Sequence, residues 1–156
     1  MQRKSQGDLH ELNHSAIHLL HRAGQCAGDL FTKEVIHDGL TPRQFAVLLT
    51  VSREEGLSQT DIVERTGIDR STLADIIRRM LNKSLVARRR TKKDARIYSV
   101  ALTNEGRKAL QEAEPAAVQA DTRLLAALPP AKRGEFLESL SVIVRAMAPG
   151  NGRNAA

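Results

Sequence analysis

Apolar residues recur at helical spacing through most of the chain. The stretch that organises the rest is central: Leu73, Ile76, Ile77, Met80 and Leu81 fall at i, i+3, i+4, i+7 and i+8, one stripe of a helix. Asp69 precedes that stripe as an N-cap. Ser71, Thr72, Asp75, Arg78, Arg79 and Asn82 take the other face. A helix of about 14 residues is roughly 21 Å long. Two short strands follow, Leu85–Thr91 and Ile97–Leu102, joined by the basic turn Lys92–Arg96. Upstream, Ser58 and Asp61 have the spacing of a capping box, with Leu57 and Ile62 as its hydrophobic staple. The helix they open, Gln59–Arg65, stops at Thr66-Gly67, where glycine accepts a turn.

The flanking segments read as longer helices. Asp8 is placed to cap a helix from Leu9 to Ile36 whose apolar face carries Leu12, Leu19, Leu20, Ala23, Ala27, Leu30 and Phe31. His37-Asp38-Gly39 is a turn. Thr41, Pro42 at the first helical position and Gln44 then give a dense helix start, stapled by Leu40 and Phe45. That helix runs to about Arg53, with Phe45, Leu48 and Leu49 in the core. Thr103 caps a helix from Asn104 to Leu128, and Pro115 inside it predicts a kink. A last helix, Pro130–Met147, spaces Phe136, Leu137, Leu140, Ile143, Val144 and Met147 helically. Residues 1–7 and the tail from 149 to 156 read as frayed ends.

A helix-turn-helix followed by a basic hairpin is a winged helix, and its second helix is long enough to lie in a DNA major groove about 12 Å wide. Charge sharpens this. The chain has 156 residues, a net charge of +6 and a pI near 10.0, which favours a polyanionic partner. Between Arg78 and Arg96 stand Arg78, Arg79, Lys83, Arg88, Arg89, Arg90, Lys92, Lys93 and Arg96, with Asp94 the sole acid. Composition also excludes classes. Aromatics are 3% of residues, so the core is aliphatic. No stretch approaches the ~20 apolar residues of a membrane span, and no apolar leader opens the chain, which points to the cytoplasm. The single cysteine, Cys26, cannot form an internal disulfide. No phosphate-binding glycine loop, paired-cysteine motif or nucleophile–base constellation is present, so an enzyme is not expected and no cofactor or structural metal is implied.

The segments LTPRQFAVLLTV, LSQTDIVERTGIDRSTLADIIRRMLNKSLVARRR, the wing residues Asp94-Ala95-Arg96 and VALTNEGRKAL, in that order, resemble the MarR family of bacterial transcriptional regulators. The similarity covers about residues 9 to 148. It implies a mainly α fold treated as one unit over 1–156: a winged helix-turn-helix at 40–102, and a dimerisation region built from the N- and C-terminal helices, 9–38 and 103–148. It also implies a homodimer on a near-palindromic double-stranded operator, acting as a repressor released by a small ligand.

Within that frame, Arg70, Ser71, Thr72, Asp75, Arg78 and Arg79 are the candidates for base and phosphate contact from the recognition helix. Arg96 resembles the family's minor-groove arginine. Asp94 resembles its positioning partner, expected to hold Arg88 or Arg90 of the strand. Lys92 and Lys93 are expected on phosphates. The family's effector pocket lies near the first two helices, which makes His18, His21, Arg22, Gln25, Arg43 and Phe45 candidates there. From HLLHRAGQC through LTPRQFAVLL the chain resembles the branch of the family controlling aromatic-acid breakdown, which implies an aromatic or phenolic acid or its coenzyme A thioester as effector. Three alternatives remain. His10, His14, His18 and His21 form a stripe whose i, i+4 pairs resemble a metal-sensing arrangement. Cys26, expected as a small core residue, would sense redox state if accessible. A nonspecific architectural DNA binder would share the charge pattern.

Overall fold

The computed structural model describes residues 11–36 and 39–148. Its elements run α1 (Ala16–Glu34), α2 (Pro42–Arg53), α3 (Gln59–Thr66), α4 (Arg70–Asn82), β1 (Val86–Arg90), β2 (Tyr98–Leu102), α5 (Asn104–Leu125) and α6 (Pro130–Met147). The expected winged helix is present: α3 and α4 are joined through Gly67, which adopts φ 69 at the C-cap of α3. β1 and β2 pair antiparallel from Val86 opposite Leu102 to Arg90 opposite Tyr98. Leu57 adds a third edge to this hairpin by accepting a hydrogen bond of 2.8 Å from Val100 N–H. The entry to α3 is thereby tied to the wing.

Local caps fix the helix starts. In α2 the Thr41 hydroxyl accepts from Gln44 N–H and Gln44 Oε1 accepts from Thr41 N–H, each at 3.2 Å. In α3, Ser58 N–H reaches Asp61 Oδ2 at 2.8 Å, and Asp61 N–H returns to the Ser58 hydroxyl at 3.2 Å. Asp69 accepts from Thr72 N–H at 2.9 Å to open α4. Each cap satisfies donors that a helix leaves unpaired at its first turn.

Leu48 of α2, Ile62 of α3, Leu73, Ile77 and Met80 of α4 and Val100 of β2 are the fully buried centre of the core. Burying one such side chain contributes on the order of 2 kcal/mol. The stripe read from the sequence is thus the face that seats α4, and its polar residues are left outside.

Three expectations need correction. The first helix does not run unbroken from Leu9. Residues 13–14 form a turn, and Ser15 caps α1 by accepting from His18 N–H at 3.3 Å. A serine hydroxyl offers the backbone this alternative to continued helix. Asp8 and His10 lie outside the described residues. The histidine stripe is consequently divided: His14 sits in the turn, and only His18 and His21 are on α1. Cys26 is exposed rather than part of the core. The third correction concerns α5, which ends at Leu125 rather than Leu128 and carries Pro115 within its continuous run. Pro115 and Gln111 are both exposed residues, and proline leaves the Gln111 carbonyl without its usual helical donor.

α6 buries none of its residues within the chain. Leu137, Val142, Ile143, Val144 and Met147 are exposed there, as are Leu12, Ile17, Leu19 and Leu20 near the start of the chain. No helix among the described residues is long and apolar enough to cross a membrane.

Candidate nucleic-acid interface and the cleft beside it

The residues read as DNA contacts lie on α4 and on the β1–β2 wing, and several are already engaged. Arg70 at the start of α4 donates to the Thr60 hydroxyl at 3.1 Å. The Ser71 hydroxyl donates to Asp69 at 3.0 Å, which commits it to the cap. Asp69 is held at about 2, well below the usual carboxylate value, first by its hydrogen bonds with Thr72 and then by Ser71. Asp75 binds two arginines: Arg78 one turn on, and Arg79, whose Nε lies 2.8 Å from Asp75 Oδ2. The Arg78 hydrogen bond is the largest reason that the Asp75 carboxyl stays below its ordinary range. The recognition helix therefore presents Arg78 and Arg79 with one net positive charge between them, both oriented by one acid.

In the wing, Arg88 and Arg90 alternate onto one face of β1, and Lys92, Lys93 and Arg96 are exposed at its tip. Asp94 does not hold Arg88 or Arg90, as had been expected. It turns back on the loop, accepting from Arg96 N–H at 2.9 Å, while its own carbonyl accepts from the Thr91 hydroxyl at 2.7 Å. A short side chain reaches the backbone two residues on more readily than a neighbouring strand; this is an Asx turn. It fixes the backbone from which Arg96 projects. Arg90 instead lies over the Tyr98 ring, 5.7 Å from its centroid, and donates to the Ala95 carbonyl at 3.4 Å.

Directly beside α4 is an open cleft of about 620 Å³. Its floor is Gly24, Ala27, Gly28, Leu30 and Phe31 of α1; Thr41, Pro42, Arg43 and Gln44 bring the start of α2; Ala120, Asp121 and Leu124 bring α5. The fourth wall is Thr72, Asp75, Ile76 and Arg79 of the recognition helix itself. Clefts of some 300–1,000 Å³, apolar with a few polar groups, suit small organic ligands.

Of the residues expected at an effector pocket, Arg43 lines this cleft and His18, His21, Arg22, Gln25 and Phe45 do not. At about 3.6 residues per turn, Arg22 falls on nearly the opposite side of α1 from Gly24. Phe45 supports the cleft from behind, its ring 5.6 Å from that of Phe31. Sequence reasoning missed Phe31, Gln44, Asp121 and Leu124, and it read Asp75 and Arg79 for DNA alone. The available signal was the pair of interior helix glycines. A Cβ on Gly24 or Gly28 would meet nothing within 4 Å, so no neighbour in the chain requires glycine there. No cluster of three or more metal-ligating side chains is found among the described residues.

Known proteins resemble this chain in sequence and fold. Residues 38–97 match the sequence profile of the MarR family. A putative transcriptional regulatory protein for the hcr operon of Thauera aromatica is 30% identical over 146 residues, 88% of this chain and 87% of that one. The transcriptional repressor CouR bound to a 23-mer DNA duplex superposes with a TM-score of 0.78 at 29% identity, covering 92% of this chain and 99% of its own. CouR bound to p-coumaroyl-CoA gives 0.79 at 28%, covering 93% and 99%. BpsR of Bordetella bronchiseptica, whose DNA binding is regulated by 6-hydroxynicotinic acid, gives 0.78 at 31%, covering 83% and 93%. With its winged helix and a relative alike over nearly its whole length, this chain belongs to the MarR family of DNA-binding transcriptional regulators.

Proposed function

We propose that the protein is a cytoplasmic, homodimeric repressor that leaves its operator when a small organic acid enters the cleft. One observation carries this reading: Thr72, Asp75 and Arg79 are at once residues of the recognition helix and a wall of the cleft. A ligand seated there touches the DNA-reading element itself. It need only favour one placement of α4 over another, because a ligand shifts an equilibrium by its differential affinity for the two states.

The lining favours a hydroxylated aromatic acid or its thioester. Leu30, Phe31, Ile76 and Leu124 offer apolar surface for a ring. Arg43 and the amino end of α2 favour a carboxylate, and Asp121 across the cleft offers an acceptor for a ring hydroxyl. The relatives' ligands, p-coumaroyl-CoA for CouR and 6-hydroxynicotinic acid for BpsR, are of this class.

Dimerisation is supported by the uncovered apolar side chains of α6 and of the first turns of the chain. Two copies would set two recognition helices on half-sites about one helical turn apart, ~10 bp. In this reading Arg70, Ser71, Thr72, Asp75, Arg78 and Arg79 face the major groove. Arg88, Arg90, Lys92, Lys93, Asp94 and Arg96 form or position the wing's contacts.

The test is a specific duplex selected from a random library, followed by thermal unfolding of the protein with 4-hydroxybenzoate, 6-hydroxynicotinate, p-coumaroyl-CoA, Zn²⁺ or an organic peroxide. A ligand at ~100 times its dissociation constant adds about 2.7 kcal/mol per site. A midpoint raised by an aromatic acid or thioester supports the reading. A response to Zn²⁺ or peroxide alone assigns sensing to the histidines or Cys26 instead. Failure to select any duplex over random DNA would leave an architectural binder.

A further inference from the structure

Gln44 is 5% exposed and lies at the start of α2, where its Oε1 is bound by Thr41 N–H. That bond settles which end of the amide is which, because a backbone N–H needs an acceptor. Nε2 is therefore turned away from the cap, and it has no partner among the described residues. It is not sealed in, since no buried side-chain nitrogen or oxygen there lacks a partner. The opening that Gln44 lines is the cleft. A nearly buried side chain, pinned at its oxygen, thus presents a two-proton donor to a cleft whose floor is the apolar face of α1.

We infer that Gln44 Nε2 is the fixed hydrogen-bond donor that reads the effector, taking a carboxylate, thioester carbonyl or ring oxygen, with Gly24 and Gly28 keeping the opposite floor clear for the ligand's flat body. This rests on the cleft being the effector site. The cap makes the donor specific. The Gln44 side chain is ordered before any ligand arrives, so little rotamer freedom is lost on binding. An analogue lacking the oxygen would leave a polar group without a partner in the closed complex. Arg43, the exposed neighbour, supplies charge but not fixed direction.

The discriminating variant is Gln44→Glu. Glutamate serves the same capping box, but it replaces the donor by an acceptor carrying negative charge. The affinities of 4-hydroxybenzoate, 6-hydroxynicotinate and p-coumaroyl-CoA are measured by calorimetry, alongside binding of the selected duplex. For the probe that wild type binds best, Gln44→Glu weakens affinity at least tenfold. The unliganded melting midpoint stays within a few degrees of wild type, and duplex affinity within about twofold. Unchanged probe affinity overturns the Gln44 assignment and leaves the effector reading standing. If wild type binds none of the probes, the effector reading falls and takes this assignment with it. Should Gln44→Glu fail to fold, ¹⁵N spectra of wild type decide: the Gln44 side-chain amide pair shifts on saturation with the best probe, and an unmoved pair refutes the inference.

Discussion

Arg79 Nε lies 2.8 Å from Asp75 Oδ2, and both side chains stand between the cleft and the outer face of the recognition helix. The same carboxylate holds Arg78. A ligand that alters Asp75 changes how two candidate DNA-contacting arginines are held. Asp75→Asn should leave the fold intact, because its partners are exposed, and should reduce the factor by which a bound effector lowers duplex affinity. Anisotropy titrations with and without effector check this. A variant with the wild-type factor would show that coupling does not pass through Asp75.

In the proposed reading the wing's lysines give affinity and Arg96 gives sequence preference. Lys92→Ala should lower the slope of log affinity against log salt by about one unit, with every duplex affected alike. Arg96→Ala should instead weaken binding more to some sequences than to others, as expected for an arginine in a narrow A·T-rich minor groove. A uniform loss for Arg96→Ala would make it another phosphate contact.

Gly106 marks where the wing meets α5. A Cβ at this position would stand 1.9 Å from the Leu85 carbonyl oxygen. Thr103 holds the same junction, its hydroxyl donating to Ser84 O at 2.5 Å and accepting from Gly106 N–H at 2.9 Å. Gly106→Ala should destabilise the fold by about 1–3 kcal/mol, the range for forced overpacking, read from urea unfolding. Gly134→Ala on the open face of α6 should not destabilise it, since nothing lies within 4 Å there.

Replacing Val144, an exposed apolar side chain of α6, with aspartate should shift the protein to monomer in sedimentation. It should also weaken duplex binding, because one winged helix reads only half a site. A dimer that persists would move the interface elsewhere.

The caps set an acid limit. Asp61 and Asp69 both have carboxyls below their ordinary value, Asp61 chiefly through Ser58 and Asp69 chiefly through Thr72. A group depressed in the folded state stabilises above its unfolded value near 3.8. For Asp69 that contribution disappears between 3.8 and about 2. Asp69→Asn keeps an N-cap without a titrating carboxyl, so its unfolding midpoint should fall less steeply across that range than wild type.

What the sequence made legible was local. The caps at Thr41, Ser58, Asp69 and Thr103 are each made by residues two to four apart, and all four form as read. The core stripe of α4 was legible because one period orders it. The first helix was misread because Ser15 competes for the backbone inside a pattern that remains apolar on both sides. Asp94 was misassigned because two acceptable partners existed and the nearer backbone won. The cleft was largely hidden for a different reason: Gly28, Gln44, Asp75 and Asp121 belong to four elements, and only tertiary packing brings them around one cleft. Gln44 was correctly read as a cap, yet a cap uses one end of its amide.

The most direct test of the account is the linkage between ligand and DNA. The dissociation constant of the selected duplex is measured with and without saturating effector, and that of the effector with and without duplex. The account predicts that effector weakens duplex binding at least tenfold, and that duplex weakens effector binding by the same factor, as reciprocity requires. Duplex affinity unchanged by an effector that demonstrably occupies the cleft would contradict it.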